Sequence, residues 1–199
     1  MTYRCFELDP TAGRDIKYNI YESLAKKYGM SIAQAKANTQ NMVQMAKESG
    51  LDYQMDTLIL TNTFDAHRLT MYAKTKGLMK EMVERILRAH FSESKHIGDH
   101  QTLTEMAVEV GLDREAVEKI LASDEMADAV RADERLAQQY GISAVPFFLI
   151  NKKYALTGAQ PTDVIVQALK KIMAEDQIVV LNNQDGAVCN DDGCEIPKK

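Results

Sequence analysis

The most constraining feature of this sequence is a short strand pair that follows a long helical stretch. After Gly141 the run "AVPFFLI" is short and apolar, which predicts a buried strand. Asn151, Lys152 and Lys153 predict a polar turn, and "YALTG" predicts a second strand that completes a hairpin. A two-stranded hairpin is marginally stable in water unless a larger sheet includes it. The chain therefore needs a further strand, and we look for one elsewhere in the sequence.

The expected partner strand lies at the start of the chain. In "YRCFELDP" the odd-numbered side chains from Tyr3 to Glu7 point to one face, the even-numbered ones from Arg4 to Leu8 point to the other, and Pro10 ends the run. This alternation predicts a short strand. Pairing of that strand with the hairpin would make a split sheet domain, closed by a helix over "AQPTDVIVQALKKIM".

The long segment between the two sheet parts has helical periodicity throughout. Ser31 and Gln34 have the spacing of a capping box, and Asp113 is a plausible helix cap. A helix that begins near Thr63 is expected to stop at Gly77. We therefore predict three regions: a sheet domain of 1–12 and 141–175, a helical insertion of 13–140, and a tail of 176–199.

Charge and hydropathy exclude several classes of protein. The 199-residue chain has a net charge of −5, which argues against general nucleic-acid binding. No run is apolar for long enough to span a bilayer, and the N-terminus has no signal-peptide pattern. We therefore expect a cytoplasmic protein that binds neither nucleic acid nor membrane. Its three cysteines do not make a disulfide scaffold.

Two of the cysteines lie close together in the tail, in "CNDDGC". Cys189 and Cys194 are separated by four residues, a spacing that lets their sulfurs meet at disulfide geometry. The neighbouring Asp191 and Asp192 should raise the pKa of a thiol here, which suits a resolving or shuttle role better than a primary nucleophile. The alternative is a loose tail with two ordinary thiols. Cys5, between apolar neighbours, is expected to be a small buried core residue.

The histidines offer two further candidates. His67, in "DAHRL", is expected on a helix, where it could face a substrate groove or simply be satisfied by a neighbour. His96 and His100, with Asp99 between them, have a spacing that could hold a metal. No third remote ligand is evident, so we interpret this stretch as solvated polar surface and expect neither metal nor cofactor.

Three segments resemble one family. "GISAVPFFLINKKYALTGAQP" resembles the cis-proline segment of thioredoxin-fold proteins of the DsbA family. "NTFDAHRLTMYAKTKG" and "YRCFELDP" resemble its cytoplasmic FrnE-type branch, some members of which carry a C-x4-C motif after the fold. The resemblance runs from Tyr3 to about Cys194 and implies an α/β thioredoxin-like fold with a large all-helical insertion.

The resemblance also implies an activity and a set of site residues. The activity is thiol–disulfide exchange with protein substrates, for which no cofactor is expected. Pro146 would be the cis-proline, and Val145 would offer backbone hydrogen bonds to an extended substrate peptide. Cys189 and Cys194 would form an auxiliary redox pair.

The sequence departs from the family in lacking its catalytic C-x-x-C motif. The chain begins at the strand that normally follows this motif, so the middle strand of the family's sheet is also missing. The remaining strands could close up, a second chain could donate a strand, or the N-terminal segment could be incomplete. We favour the last, because nothing in the sequence replaces the lost strand.

Two other classes of protein fit the same architecture. Kappa-class glutathione transferases and the related isomerases insert helices into a thioredoxin fold, bind glutathione and need no C-x-x-C. The "YRCFELDP" segment and the C-x4-C tail speak against them. A non-catalytic peptide-binding module, or a non-functional fragment, is the other alternative. Protein substrates, glutathione and a second copy of the chain are thus the candidate partners.

Overall fold

The computed structural model describes residues 1–175, 188–190 and 193–195, and side chains only within 1–175. The predicted effect of Asp191 and Asp192 on the tail thiols concerns residues outside these ranges. The chain forms two compact units, Met1–Ser143 and Ala144–Lys199. The described elements are α1 Ile20–Tyr28, α2 Ile32–Glu48, α3 Phe64–Thr75, α4 Met79–Phe91, α5 His100–Glu109, α6 Arg114–Leu121, α7 Ala127–Gln139, β1 Phe147–Ile150, β2 Tyr154–Thr157, α8 Thr162–Glu175, β3 Val188–Asn190 and β4 Gly193–Glu195.

The helix ends follow the local signals of the sequence. The capping box at the start of α2 is confirmed, because the Gln34 backbone N–H donates to Ser31 Oγ at 3.2 Å and the Ser31 N–H donates to Gln34 Oε1 at 3.0 Å. Asp113 caps α6 by accepting from the Ala116 N–H at 2.9 Å. Just beyond α3, Gly77 has a φ of 75°, a left-handed conformation that glycine adopts without steric cost.

The apolar core of the first unit lies among α3, α4, α5 and α6. Each of these helices contributes side chains that are completely removed from solvent, and their packing supplies most of the apolar burial in the unit. The fully buried members include Leu69, Met82, Leu103, Met106 and Val117.

The apolar periodicity of "LMKEMVERILRAHF" predicts an inward stripe of Met79, Met82, Val83, Ile86 and Leu87 on α4, and this prediction is only partly right. Met82 is fully buried, but Leu87 is about half exposed. Arg85 takes an inward position, where it forms ion pairs with Glu109 at 2.5 Å and Glu93 at 3.0 Å. Two carboxylates from outside α4 therefore allow an arginine to lie where the periodicity placed only apolar side chains.

The first segment of the chain is extended, but the described residues include no strand that pairs with it. The predicted alternation is present, with Cys5 and Glu7 buried on the inward face. Side chains supply the backbone hydrogen bonds: the Cys5 N–H donates to Asp133 Oδ2 at 3.0 Å, and His67 bonds the backbone of Phe6. The prediction of a paired strand is therefore wrong for the described residues, because side chains of α7 and α3 bond the backbone at Cys5 and Phe6 in place of a neighbouring strand.

The second unit contains the predicted hairpin. β1 and β2 are antiparallel, with Phe147 opposite Thr157. The turn places Asn151 and Lys152 at φ values of 52° and 56°. Leu149 is more than a third exposed, so the prediction of a buried strand is wrong. The physical reason is that β1 and β2 form a sheet of two strands among the described residues, which leaves both faces thinly covered.

The helix after the hairpin begins directly behind Pro161, as expected from the fixed φ of proline. The periodicity of this helix predicts a buried face of Ile165, Leu169 and Ile172. In the structure Ile172 is buried, Ile165 is half-buried and Leu169 is exposed. Within the part of the chain that the structure describes, no helix is both long and apolar enough to cross a membrane.

Gly98 provides a test of close packing in the first unit. A Cβ atom at position 98 would fall far inside van der Waals contact with Thr61 Oγ1, which itself donates to the Arg14 carbonyl at 2.8 Å. Gly98→Ala should therefore lower the free energy of unfolding by about 1–3 kcal/mol, the usual cost of overpacking. Urea denaturation measures this difference.

The matched control for that substitution is Gly13→Ala, because a Cβ there meets nothing within 4 Å. Its effect should stay within about 1 kcal/mol of the wild type. Equal stability of the two variants would show that the loop carrying Gly98 yields freely.

Candidate functional site

The backbone of the tail brings the two tail cysteines together. β3 and β4 pair antiparallel, and the register places Cys189 directly opposite Cys194. Directly opposed residues of antiparallel strands have Cα atoms about 4.5 or 5.5 Å apart. Disulfides usually join Cα atoms about 4.4 to 6.8 Å apart. The described backbone here is therefore a pair of short antiparallel strands, and its register suits a disulfide.

The segment Val145–Pro146 leads directly into β1. Its peptide bond is cis, and the Pro146 carbonyl accepts from the Gly158 N–H at 2.9 Å across the mouth of the hairpin. Val145 is 45 % exposed. A solvent-facing residue at the end of a strand can present its backbone to an extended peptide, as in strand-addition binding.

His67 lies on α3 in the first unit, apart in sequence and unit from the other candidates. Burial lowers the pKa of its imidazole, and a hydrogen bond with the Phe6 backbone opposes this shift. Its own carbonyl accepts from Cys5 Sγ at 3.8 Å. His67 therefore joins α3 to the N-terminal segment. This contact matches the second role considered for His67, a histidine satisfied by a neighbouring group, and not a residue that faces a substrate groove.

Cys5 is buried, as predicted. Only 2 % of the residue is exposed. Burial raises the pKa of its thiol to about 12, and the carboxylates of Asp133 and Glu134 add to this. A thiol in such surroundings stays protonated and is a poor nucleophile.

Sequence reasoning missed a cluster of charges around the N-terminal segment. The buried Asp133 carboxylate accepts from the Arg4 guanidinium at 2.7 Å and from the Cys5 N–H. Glu7, whose side chain is 1 % exposed, lies 2.7 Å from Arg131 Nη1. One signal could have revealed it, because the alternation already placed acidic Glu7 on the same inward face as Cys5.

A second missed cluster is centred on Asp65. Its carboxylate oxygens lie 2.8 Å from the buried Arg68 guanidinium, 2.7 Å from His100 Nε2 and 2.9 Å from Arg14 Nη2. Burial raises the pKa of Asp65, but the hydrogen bonds from His100 and Arg68 outweigh it and hold the pKa below its usual value. The interpretation of His100 as solvated surface is therefore wrong, since it joins α5 to α3.

Arg68 extends this cluster into the core. Its Nε donates to the Glu125 carbonyl at 2.9 Å, and its Nη2 donates to the carbonyls of Ile120 and Ser123. Ile120 lies in the last turn of α6, and Ser123 and Glu125 follow the helix, a region where carbonyl groups lack partners within the helix. Among residues 1–175, no three His, Cys, Asp or Glu side chains are grouped closely enough to hold a metal ion.

Two substitutions separate the roles of Asp133. Asp133→Ala leaves the buried Cys5 N–H without an acceptor and should cost about 1–3 kcal/mol of unfolding free energy. Arg4→Met removes only a half-exposed ion-pair partner and should cost less than about 1 kcal/mol. Denaturant unfolding of both variants tests this order. A larger loss for Arg4→Met would mean that the ion pair, rather than the backbone bond, anchors the segment.

Comparison with known proteins gives a consistent family. A family model described as the DSBA-like thioredoxin domain matches residues 1–170. The uncharacterized protein YwbO of Bacillus subtilis is 33 % identical over 99 residues. That match covers 49 % of this chain and 49 % of the relative, so the chain matches about half of that curated protein's length.

Solved structures show the same fold. The probable DsbA oxidoreductase SCO1869 of Streptomyces coelicolor is 38 % identical with a TM-score of 0.84, over 98 % of this chain and 83 % of that one. The cytosolic disulfide reductase DsbM of Pseudomonas aeruginosa, solved with GSH, is 19 % identical with a TM-score of 0.51, over 65 % of this chain and 72 % of that one. The second likeness is one of fold alone.

The predicted fold class is thereby confirmed as a DsbA-like thioredoxin fold, mostly helical, whose small hairpin sheet is consistent with a large helical insertion. The family model covers most of the chain and includes the Val145–Pro146 segment. This chain belongs to the family of DSBA-like thioredoxin domains.

Proposed function

We propose that this protein is a thiol–disulfide oxidoreductase of protein substrates, in which Cys189 and Cys194 form a redox pair. Membership of the DSBA-like family supports the reaction class. The observation that carries the assignment of residues is the register of β3 and β4, which sets the two cysteines opposite each other. They are the chain's only cysteines besides the buried Cys5.

The proposed exchange moves two electrons in two steps. A thiolate of the pair attacks a substrate disulfide, so that a mixed disulfide forms and one substrate sulfur leaves as a thiolate. The second cysteine of the pair then attacks the mixed disulfide, which releases the other substrate sulfur and forms the Cys189–Cys194 disulfide. The substrate gains the two electrons that the pair loses, and oxidation of a substrate is the same sequence in reverse.

The pair is proposed to act as an auxiliary or shuttle pair of the FrnE type. The chain contains no C-x-x-C motif, and Asp191 and Asp192 between the cysteines disfavour a highly reactive thiolate. Such a pair is better suited to resolve or pass on a disulfide than to initiate exchange. We place this activity in the cytoplasm, in line with the sequence analysis.

Val145 and Pro146 are proposed to form one wall of the substrate groove. Support comes from the exposure of Val145 and from its position at the entrance of β1, where an extended peptide could bond its backbone. His67, which the sequence suggested as a groove residue, contacts the N-terminal segment, and we give it a supporting role.

Redox titration tests the proposed pair. In glutathione buffers of graded potential, Cys189 and Cys194 should become protected from alkylation together, with a midpoint roughly between −120 and −270 mV. Because two electrons move, their oxidised-to-reduced ratio should change tenfold for about every 30 mV. Peptide mass spectrometry locates the labels. Cys189→Ser should abolish the transition at Cys194, whereas Cys5→Ala should leave it unchanged.

The same titration separates the alternatives. Independent labelling of the two cysteines at every potential would disprove the pair and leave a peptide-binding module. A mass increase from one bound glutathione on a single cysteine, without a disulfide between them, would favour a small-thiol partner over a protein substrate.

A substitution at the proposed groove separates binding from chemistry. Val145→Asp should raise KM for a disulfide-containing peptide by roughly tenfold, equivalent to about 1.4 kcal/mol, and leave the redox midpoint unchanged. The matched control is Val166→Asp on α8, since Val166 is 41 % exposed and Val145 is 45 % exposed. Equal KM values for the two variants would remove Val145 from the groove.

A further inference from the structure

Two carboxylates share one guanidinium nitrogen beside the N-terminal segment. Arg131 Nη1 lies 2.7 Å from Glu7 Oε2 and 2.6 Å from Glu134 Oε2. The Glu7 side chain is 1 % exposed and that of Glu134 is 22 % exposed. Water therefore screens this pair of acidic groups poorly, and repulsion between two full charges here would be strong.

The surrounding charges do not neutralise both carboxylates. On α7, Arg131 is the cation in contact with them, while Asp133 is a further anion that pairs with Arg4 of the N-terminal segment. From α3, His67 faces the same segment, and burial favours its neutral form. Asn62 donates to Glu7 Oε1, at 3.4 Å, without adding charge. Lys74 of α3 acts on Cys5 electrostatically, but the ion pairs of the cluster join three carboxylates to only two guanidinium groups. Among these directly paired groups there is one more carboxylate than there are cations, and a proton can correct this imbalance.

The hydrogen-bond pattern indicates where such a proton resides. Glu134 Oε1 is buried and has no donor among the described residues. Glu7 and Glu134 are neighbours because both contact Arg131 Nη1, and a hydrogen bond between them is among the causes that raise the pKa of Glu7. A carboxyl proton held between them supplies the missing donor, and two carboxylates that share a site commonly retain one proton in this way.

We propose that Glu7 and Glu134 share one proton in the folded protein, and that loss of this proton releases the N-terminal segment, residues 3–8, from α7 and exposes the Cys5 thiol. The chain thereby contains a pH-gated thiol, separate from the proposed Cys189–Cys194 pair. The closed segment buries Cys5 to 2 % exposure, so the thiol itself reports release.

The sign of the pH dependence follows from the environment of Glu7. Burial raises the pKa of Glu7, the hydrogen bond with Glu134 raises it further, and Arg131 opposes both. The closed state is therefore most stable below the ordinary glutamate pKa and loses stability as pH rises through the raised value. His67, with a lowered pKa, would produce the opposite trend, an opening that increases as pH falls.

The experiment measures labelling of Cys5 in the full chain from about pH 5 to about pH 8, below the range in which an exposed thiol ionises extensively. A maleimide is used as the reagent, and peptide mass spectrometry quantifies the label on Cys5. Each rate is divided by that of an unstructured peptide spanning residues 1–10, which removes the effect of thiolate content. The normalised rate should rise by up to about tenfold per pH unit, the slope for release of one proton.

Two neutral substitutions and one matched control test the origin of this slope. Glu134→Gln and Glu7→Gln each remove the shared proton, so the normalised rate should become nearly independent of pH. Glu115→Gln, at an exposed position on α6, should retain the wild-type slope. Circular dichroism establishes that each variant is folded, and the less buried Glu134 position serves if Glu7→Gln does not fold.

Three results would overturn the proposal. One is a wild-type rate that does not change with pH. The second is a rate that increases toward low pH, which would assign the gate to His67. The third is an unchanged slope in Glu134→Gln, which would show that another group releases the proton.

Discussion

Asp133 bonds the backbone of the N-terminal segment, for which the described residues include no neighbouring strand. Its buried carboxylate accepts from the Cys5 N–H and from Arg4, and it thereby attaches the extended N-terminal segment to α7. A buried backbone N–H without a partner costs about 1–3 kcal/mol, so this attachment is a main contribution to holding the segment against the helices. The burial of Cys5, the approach of Glu7 to Arg131 and the contact of His67 with Phe6 accompany it in the same docked segment.

Charged side chains form many of the contacts that connect the helices of the first unit. Arg68 joins α3 to the end of α6, Asp65 joins α3 to α5, and Arg85 joins α4 to Glu109. Each of these contacts places a charge where it has a defined partner, since a buried charge without one is strongly unfavourable. Near Glu7 and Glu134 the balance is incomplete, and this is the place where the structure can respond to pH.

The two-stranded β1–β2 sheet of the second unit explains why Val145 is accessible. With β1 paired only to β2 among the described residues, Val145 at its entrance remains nearly half exposed. The β3–β4 hairpin is a separate small sheet that sets Cys189 opposite Cys194. In both sheets a short antiparallel pairing sets chosen residues opposite each other without a large core: Phe147 opposite Thr157, and Cys189 opposite Cys194.

The sequence by itself determined the local features: the capping box of Ser31 and Gln34, the cap at Asp113, the β1–β2 hairpin and the alternation around Cys5. These depend on hydrogen bonds and side-chain periodicities within a few residues, which a linear pattern records. Its resemblance to the DsbA family also predicted the fold class that the family comparison confirms. Only the tertiary structure decided that the first segment bonds to Asp133, that Arg85 turns inward in place of Leu87, and that His100 contacts Asp65. The contact between Cys5 and Asp133 spans 128 positions of the chain. Such a partner is chosen by how helices pack in space, and no periodicity of the segment itself contains that information.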